Sequence, residues 1–527
     1  MVNPVTTLTN AVGCPSTYAD ARRTRTQRKR ELQVTTSIFE HVLDIDIPGA
    51  DQVFVAGQWR AATTDDTIDV IDPATEQTLI RVARPTIDDA DHAVAAARRA
   101  FDRGPWPRMS PDERTATVAR FCAALEADID RLNRATVFES GVTLAYAQTL
   151  NQGAAVGAWN AALAAAATLP WETRDGGVIL RREPVGTVLA VLTNNGPVSL
   201  IGMKVVPALL SGSTVIVKHA PESQLTAHVI ADAAARAGFP EGVISFLPAE
   251  TDVTQYLVSH PGVDMVTLTG SQAIARDVLH RTSDRLARTV FELGGKSPAI
   301  IGEDADLNAV MTTLGDGATA GMGQVCVLLS RILVPESRYT EATEALVDFY
   351  TNLTLGDPFD PNVDRGPLSV HRAVERTEAH VARALADGAT LACGGKRPDH
   401  LPRGYFYEPT LLTGVDNQMS IARNEVFGPV TVLLPYRTID EAVDIANDSD
   451  YGLAASVYTS DTDEAIAIAR RIRSGSVGIN VAGMSLNHAF GGVKQSGWGR
   501  ECGPEGILEF TDIKQMLLPD GGSFLQA

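Results

Sequence analysis

Between residues 186 and 268, short apolar runs alternate with helix-like stretches, and this alternation limits the fold more than any other feature of the chain. Residues 188–192, 214–217, 243–246 and 265–268 are apolar almost throughout, as strands buried on both faces must be. Residues 199–210 carry helical spacing and are closed by Ser211, Gly212 and Ser213. Residues 224–237 repeat that spacing up to Gly238, and a further helix separates the last two strands. The order predicts a parallel sheet covered on both faces, of the dinucleotide-binding α/β type. The pattern returns late in the chain. Strands at 430–434, 455–458 and 477–480, with helices at 439–447 and 462–472, predict a second α/β unit. A chain of 527 residues is too long for one ordinary core, so two units suit its length.

The flanking segments read differently. Residues 52–59 alternate like a strand. A helix is signalled at Thr86, with Asp89 placed to complete a capping box. The alanine-rich run 154–170 contains Asn160 and is short for a membrane span, so a packed helix is expected and no membrane association. Residues 177–182 and 513–518 are strand-like but polar on one side, which fits a projecting arm. The first fifty residues hold the basic cluster Arg22, Arg23, Arg25, Arg28, Lys29 and Arg30 without an apolar core segment. They read as a flexible extension, with an organelle transit peptide as the alternative.

The net charge of −19 opposes a nucleic-acid partner, which asks for a basic face. The five cysteines are scattered and form no close pair, as expected of reduced thiols in a cytoplasmic protein. No HExxH and no Cys/His cluster is present, so no metal site is expected.

Four short stretches can carry chemistry. Cys326 lies in GMGQVCVLLSR, where the local window alone favours a buried core thiol. Glu292 ends a strand in FELGGKSP, where paired glycines allow either a close backbone approach or a tight turn with a solvated glutamate. Gly270 and Ser271 in LTGS lead from a strand into a helix, whose free N–H groups suit a phosphate. Asn195 in LTNNGP stands at a strand end, as an amide donor or a turn former.

The order and spacing of these stretches resemble one family. From about residue 52 to about residue 518 the chain resembles the aldehyde dehydrogenase superfamily, of the non-acylating, NAD(P)-dependent type. The motifs are Asn195 in TNNGP, Lys218 in TVIVKHAPE, TGS at 269–271, Glu292 in FELGGKSP, Cys326 in GQVC, Glu425 and Phe427 in NEVFGP, and the closing run FGGVKQSGWGRECGPEG at 490–506.

The resemblance implies an α/β fold of two Rossmann-like domains plus a β-arm for oligomerisation. It places the cofactor-binding domain at 51–160 and 185–293, the catalytic domain at 294–495, and the arm at 161–184 and 505–520. It implies Cys326 as nucleophile, Glu292 as general base and Asn195 as oxyanion donor. Lys218, Gly270, Ser271, Glu425 and Phe427 are implied to hold NAD, with NADP not excluded, and Lys204 to assist proton movement. A small-molecule aldehyde is the implied partner, and the arm implies a homodimer or homotetramer.

Three departures matter. Where many relatives carry tryptophan and an aromatic around the key asparagine, this chain has Asn194 and Gly196, which predicts a wider tunnel. Leu200, Met203, Val325 and Val327 are expected beside it, giving preference for bulky or long apolar aldehydes. Where NAD-preferring relatives often carry a glutamate, this chain has Pro221, with Glu222 one position later. Glu292 favours release of a free acid over a coenzyme A thioester. A coenzyme A-dependent semialdehyde dehydrogenase and a non-catalytic protein retaining the fold are the alternatives.

Overall fold

The apolar runs form parallel strands because each is shielded on both faces by a helical layer. The computed structural model describes residues 39–519. β1 (Gln52–Val55) and β2 (Gln58–Ala61) make a hairpin, as do β3 (Thr67–Ile71) and β4 (Thr78–Ala83). β5 (Glu172–Asp175) and β6 (Val178–Pro184) follow, then β7 (Thr187–Val191), β8 (Thr214–Lys218), β9 (Ile244–Phe246), β10 (Met265–Thr269) and β11 (Arg288–Glu292). The second half adds β12 (Pro298–Ile301), β13 (Arg331–Pro335), β14 (Thr390–Cys393), β15 (Thr410–Thr413), β16 (Val430–Tyr436), β17 (Ala454–Tyr458) and β18 (Ser476–Ile479). β19 (Gly497–Trp498) and β20 (Thr511–Leu517) come last.

The first sheet has the order β19-β11-β10-β7-β8-β9-β1-β2, with its five central strands parallel. The second has the order β14-β15-β16-β13-β12-β17-β18 and is parallel from β15 onward. The expected two-sheet α/β architecture is therefore present. Residues 293–297 cross from the carboxyl end of β11 to the amino end of β12. The carboxyl ends of the first sheet meet the amino ends of the second.

Several expectations are corrected. Residues 52–59 are two strands, not one. The chain turns at Ala56 and Gly57, with φ of 60° and 85°, the left-handed pair a tight hairpin needs. The arm is smaller than residues 161–184 and 505–520. The helix Val156–Thr168 instead packs Trp159, Ala162 and Ala165 into the main core, joined there by Ile507 and Phe510. What projects is the antiparallel sheet β20-β6-β5.

The stretch expected as one helix at 199–210 carries a π-helical segment, Ile201–Val205, before the α-helical turn Val206–Ser211. The basic cluster at 22–30 lies outside the described residues. Residues 39–50, expected within a flexible extension, pack against the body. Leu43, Ile45 and Ile47 cover one core cluster, and the His41 ring nitrogens reach Asp72 at 2.6 Å and Asp357 at 3.1 Å. The capping box at Thr86 and Asp89 forms as expected.

One buried arginine ties the second sheet together. Arg331, at the start of β13, is fully buried. Its Nε donates to the Lys296 carbonyl at 2.9 Å, and Nη1 to Asn417 Oδ1 at 2.8 Å. Nη1 and Nη2 also donate, each at 3.0 Å, to the carbonyls of Ile445 and Ala446. These two carbonyls end the helix Ile439–Asn447, where no intrahelical donor remains. Arg331→Met removes every donor and leaves buried acceptors unpaired. It is expected to cost about 3 kcal/mol or more, read as a lower thermal midpoint by scanning calorimetry.

Candidate active site

Strand ends bring the chemical residues together. Asn195 follows β7, Lys218 ends β8, Gly270 and Ser271 follow β10, and Glu292 ends β11, all at the carboxyl edge of the first sheet. Cys326 precedes β13, and Glu425 and Phe427 precede β16, at the amino edge of the second. The Gly270 N–H donates to the Glu292 carbonyl at 3.0 Å, which ties two of these ends together.

Cys326 sits in a turn closed by the Leu328 N–H on the Val325 carbonyl at 3.2 Å. The preceding loop runs through positive φ at Gly321, Met322 and Gly323. Gly323 also lies where a Cβ would come within 2.1 Å of the Gly428 carbonyl oxygen, so this loop is seated directly on the one carrying Phe427. Behind the thiol, a Cβ on Gly295 would lie 2.5 Å from the Cys326 carbonyl oxygen.

Asn195 is held from both sides. The Thr193 hydroxyl donates to its Oδ1 at 2.7 Å, and its Nδ2 donates to the Gln324 carbonyl at 3.0 Å. One Nδ2 hydrogen remains for a further acceptor near Cys326. Asn194 donates to Ser369 Oγ at 3.1 Å, and that hydroxyl donates to Gln324 Oε1 at 2.8 Å. The residue standing where relatives have tryptophan thus braces the cysteine loop.

The half-buried Cys326 packs, together with Val327, Met203, Met484 and Leu486, against a buried cluster of Leu453, Phe490 and Cys502. Burial pushes its thiol up to about 12, and the charges of Glu292 and Glu425 add to the rise. The resting thiol is therefore neutral, and attack on a carbonyl needs a proton acceptor.

Glu292 is buried, no side chain among the described residues hydrogen-bonds its carboxyl, and the Gly492 backbone N–H lies against it. Burial and then the charge of Glu501 hold its carboxyl well above the usual range, against the pull of Lys204. Lys204, fully buried, forms an ion pair with Glu501 and donates to Thr267 Oγ1 at 3.2 Å. Burial raises the Glu501 carboxyl, while Lys204 pulls it down. Glu501 was not singled out from the sequence. Its signal was an acid between Arg500 and Cys502 in the closing run.

Of the residues expected beside the tunnel, Met203 and Val327 pack against the Leu453, Phe490 and Cys502 cluster, and Met203 also packs, with Leu200, in the main core. Met484, Leu486 and Phe490 were missed, because their segment joins the wall only through the fold. Gly196 is buried, yet a Cβ there would meet Ser199 alone, at 3.9 Å. Leu329 packs in the core of the second sheet.

The remaining residues fit a dinucleotide. The Lys218 ammonium, at the end of β8, has no hydrogen bond or ion pair with any described residue, and burial lowers it to about 8. Thr269 Oγ1, beside Gly270, is buried without a partner among the described residues, and Ser271 caps the helix Gln272–Thr282. The Glu425 carboxylate occupies space that a Cβ on Gly294 would fill at 2.2 Å, and accepts the Gly295 N–H at 3.0 Å. Burial raises Glu425 to about 7. Phe427 has a positive φ of 54°, and its ring faces Arg376 at 6.0 Å. Among the described residues no group of three or more His, Cys, Asp or Glu could hold a metal ion, and no helix is long and apolar enough to cross a membrane.

Comparison with known proteins agrees with this arrangement. The sequence model of the aldehyde dehydrogenase family matches residues 59–516. Geranial dehydrogenase of Castellaniella defragrans is 37% identical over 471 residues, 88% of this chain and 98% of that protein. The 3-succinoylsemialdehyde-pyridine dehydrogenase of Pseudomonas is 35% identical over 473 residues, 89% of this chain and 99% of that one. An aldehyde dehydrogenase of Mycobacterium tuberculosis, solved with NAD+, superposes with a TM-score of 0.88 at 42% identity, covering 90% of this chain and 99% of that one. Aldehyde dehydrogenase C of Pseudomonas syringae, a cysteine-to-alanine variant solved with NAD+ and octanal, gives 0.87 at 34% identity, with 90% and 98% coverage. The chain belongs to the aldehyde dehydrogenase family and is an enzyme of that class.

Proposed function

We propose that the enzyme oxidises a long or bulky apolar aldehyde to its free carboxylic acid, with NAD as hydride acceptor, water as oxygen donor and Cys326 as nucleophile. The observation that carries this reading is the buried Glu292 carboxyl, bonded to no side chain among the described residues, whose charge is felt at the Cys326 thiol.

Cys326 gives up its proton toward Glu292, and its sulfur adds to the aldehyde carbon. The carbonyl oxygen becomes an alkoxide held by the spare Asn195 Nδ2–H and the Cys326 N–H, a pair worth about 3 kcal/mol per donor. NAD, when bound, supplies the acceptor for the hydride that leaves this carbon. Lys218, Gly270 and Ser271 would hold its adenosine and phosphate portion, and Glu425 and Phe427 its nicotinamide end. Collapse of the alkoxide leaves an acyl group on Cys326 as a thioester. Glu292 takes a proton from water, the hydroxyl adds to the acyl carbon, and the Cys326 thiolate leaves with the electron pair. Before that step Glu292 would pass the thiol proton to Glu501, the carboxylate paired with Lys204, and so be free to take the one from water.

The residue division at 51–160 with 185–293 and at 294–495, into cofactor-binding and catalytic parts, is supported by the two separate sheets. The uncrowded Gly196 and the apolar wall of Met203, Val327, Met484 and Leu486 support a roomy tunnel. The relative named for geranial and the structure solved with octanal point the same way. The arm β20-β6-β5 leaves Leu180, Ile513 and Leu517 exposed, which supports pairing with a second subunit in a homodimer or homotetramer. A cytoplasmic location is supported by the four free cysteines among the described residues and by a 34% identical relative named as cytosolic, from Rattus norvegicus.

Cys326→Ser is expected to lower kcat by about 10³-fold or more with little loss of folding. Glu292→Gln is expected to slow the NADH burst and to slow steady turnover more, by about 10²-fold, as the acyl-enzyme accumulates. Absence of that accumulation by mass spectrometry would count against hydrolysis by Glu292.

Below a pKa near 12 the thiolate fraction of the enzyme alone rises with pH. Alkylation of Cys326 by iodoacetamide is expected to quicken about tenfold per unit from about pH 6 to about pH 9. A plateau inside that range contradicts the buried, neutral thiol.

For octanal or geranial, kcat/KM is expected to exceed that for acetaldehyde by about tenfold or more, and Gly196→Phe to narrow the gap. Equal values for small and large aldehydes overturn the tunnel reading, and a monomer by light scattering overturns the arm reading.

A further inference from the structure

We propose that the crevice at the carboxyl end of β8 accepts the 2′-phosphate of NADP as well as the 2′-hydroxyl of NAD, with Arg372 as the phosphate ligand. This deepens the cofactor reading above and rests on it.

In a doubly wound sheet the adenosine ribose lies beyond a strand end near the switch point. An acid there takes the 2′-hydroxyl and repels a 2′-phosphate, whereas an arginine accommodates that phosphate. Here β8 ends in Lys218, and the five residues after it read His-Ala-Pro-Glu-Ser. Glu222 is the acid of that segment, and its charge is felt at the Lys218 ammonium.

Glu222 is already engaged. Arg372, in the first turn of the helix His371–Ala386, reaches across from the second half of the chain and pairs with Glu222 Oε1 through Nη2. The Glu222 side chain is 19% exposed and that of Arg372 67%, so the carboxylate is tucked in while most of the guanidinium faces solvent. Lys218 and Arg372 flank one carboxylate, which leaves a net positive charge for an incoming anion. The guanidinium fork can grip a phosphate through two N–H donors at once. An ion pair this exposed is weak and exchanges easily. With NADP, Arg372 would trade the carboxylate for the phosphate. With NAD, Glu222 would accept the 2′-hydroxyl, still paired with Arg372.

The test is calorimetric binding of NAD+, NADP+, ADP-ribose and 2′-phospho-ADP-ribose to the full-length enzyme without aldehyde. The Kd for NADP+ is expected within about tenfold of that for NAD+. Arg372→Ala is expected to raise the NADP+/NAD+ ratio of Kd about tenfold or more, Arg372→Lys to raise it less, and Glu222→Gln to lower it. The two ADP-ribose fragments are expected to follow the same order. NAD+ binding with NADP+ weaker by about 100-fold or more, or a ratio that Arg372→Ala leaves unmoved, overturns the proposal alone. Failure of both dinucleotides to bind overturns the cofactor reading with it.

Discussion

Backbone meets backbone around Cys326 at distances that a side chain would forbid. The crossing at Gly295 lies against the Cys326 carbonyl, and the loop at Gly323 lies against the carbonyl of Gly428. Three segments separated by up to 130 residues are thereby fixed to one another: the strand end bearing Glu292, the loop bearing Cys326 and the loop bearing Glu425 and Phe427. Main-chain contact fixes position more tightly than side-chain packing, because no rotamer can relax it. The thiol, the carboxyl behind it and the carboxylate beside Gly294 owe their relation to this seam.

Burial then sets the chemical state of the groups that the seam collects. The Cys326 thiol and the carboxyls of Glu292, Glu425 and Glu501 are all shifted toward their neutral forms, chiefly by removal from water. Lys204 supplies the countercharge, paired with Glu501 beneath the site. A carboxylate whose pKa burial has raised is a stronger base than one in water, which suits a reaction in which one sulfur must lose a proton early and one water later. The apolar wall around the thiol is part of what raises its pKa.

The strands and helices were legible wherever pattern and punctuation agreed. The helix Gln224–Ala237 was read to its last residue because Gly238 marks its end and its apolar face repeats regularly. The hairpin at 52–61 was read as one strand because Ala56 gives no warning that it adopts a positive φ. The π-helical segment Ile201–Val205 has no sequence signature at all, since it arises from packing. The candidate site was legible through the order of motifs and not through any window, because a local stretch cannot say that Asn195 bonds to Gln324. For the same reason Glu501, Arg331 and Arg372 went unremarked, each acquiring its place from partners more than a hundred residues away or across a helix end.

The two sheets meet with opposite polarity, one offering the tips of its strands and the other their roots. Cys326 therefore belongs to one half of the chain and Glu292 to the other, with the peptide at 293–297 as the sole covalent tie between β11 and β12. Neither half can be inherited, swapped or shortened alone and still present both groups to the same atom. A position that lines the seam without joining it, such as Gly196, can change its side chain and leave both groups where they are.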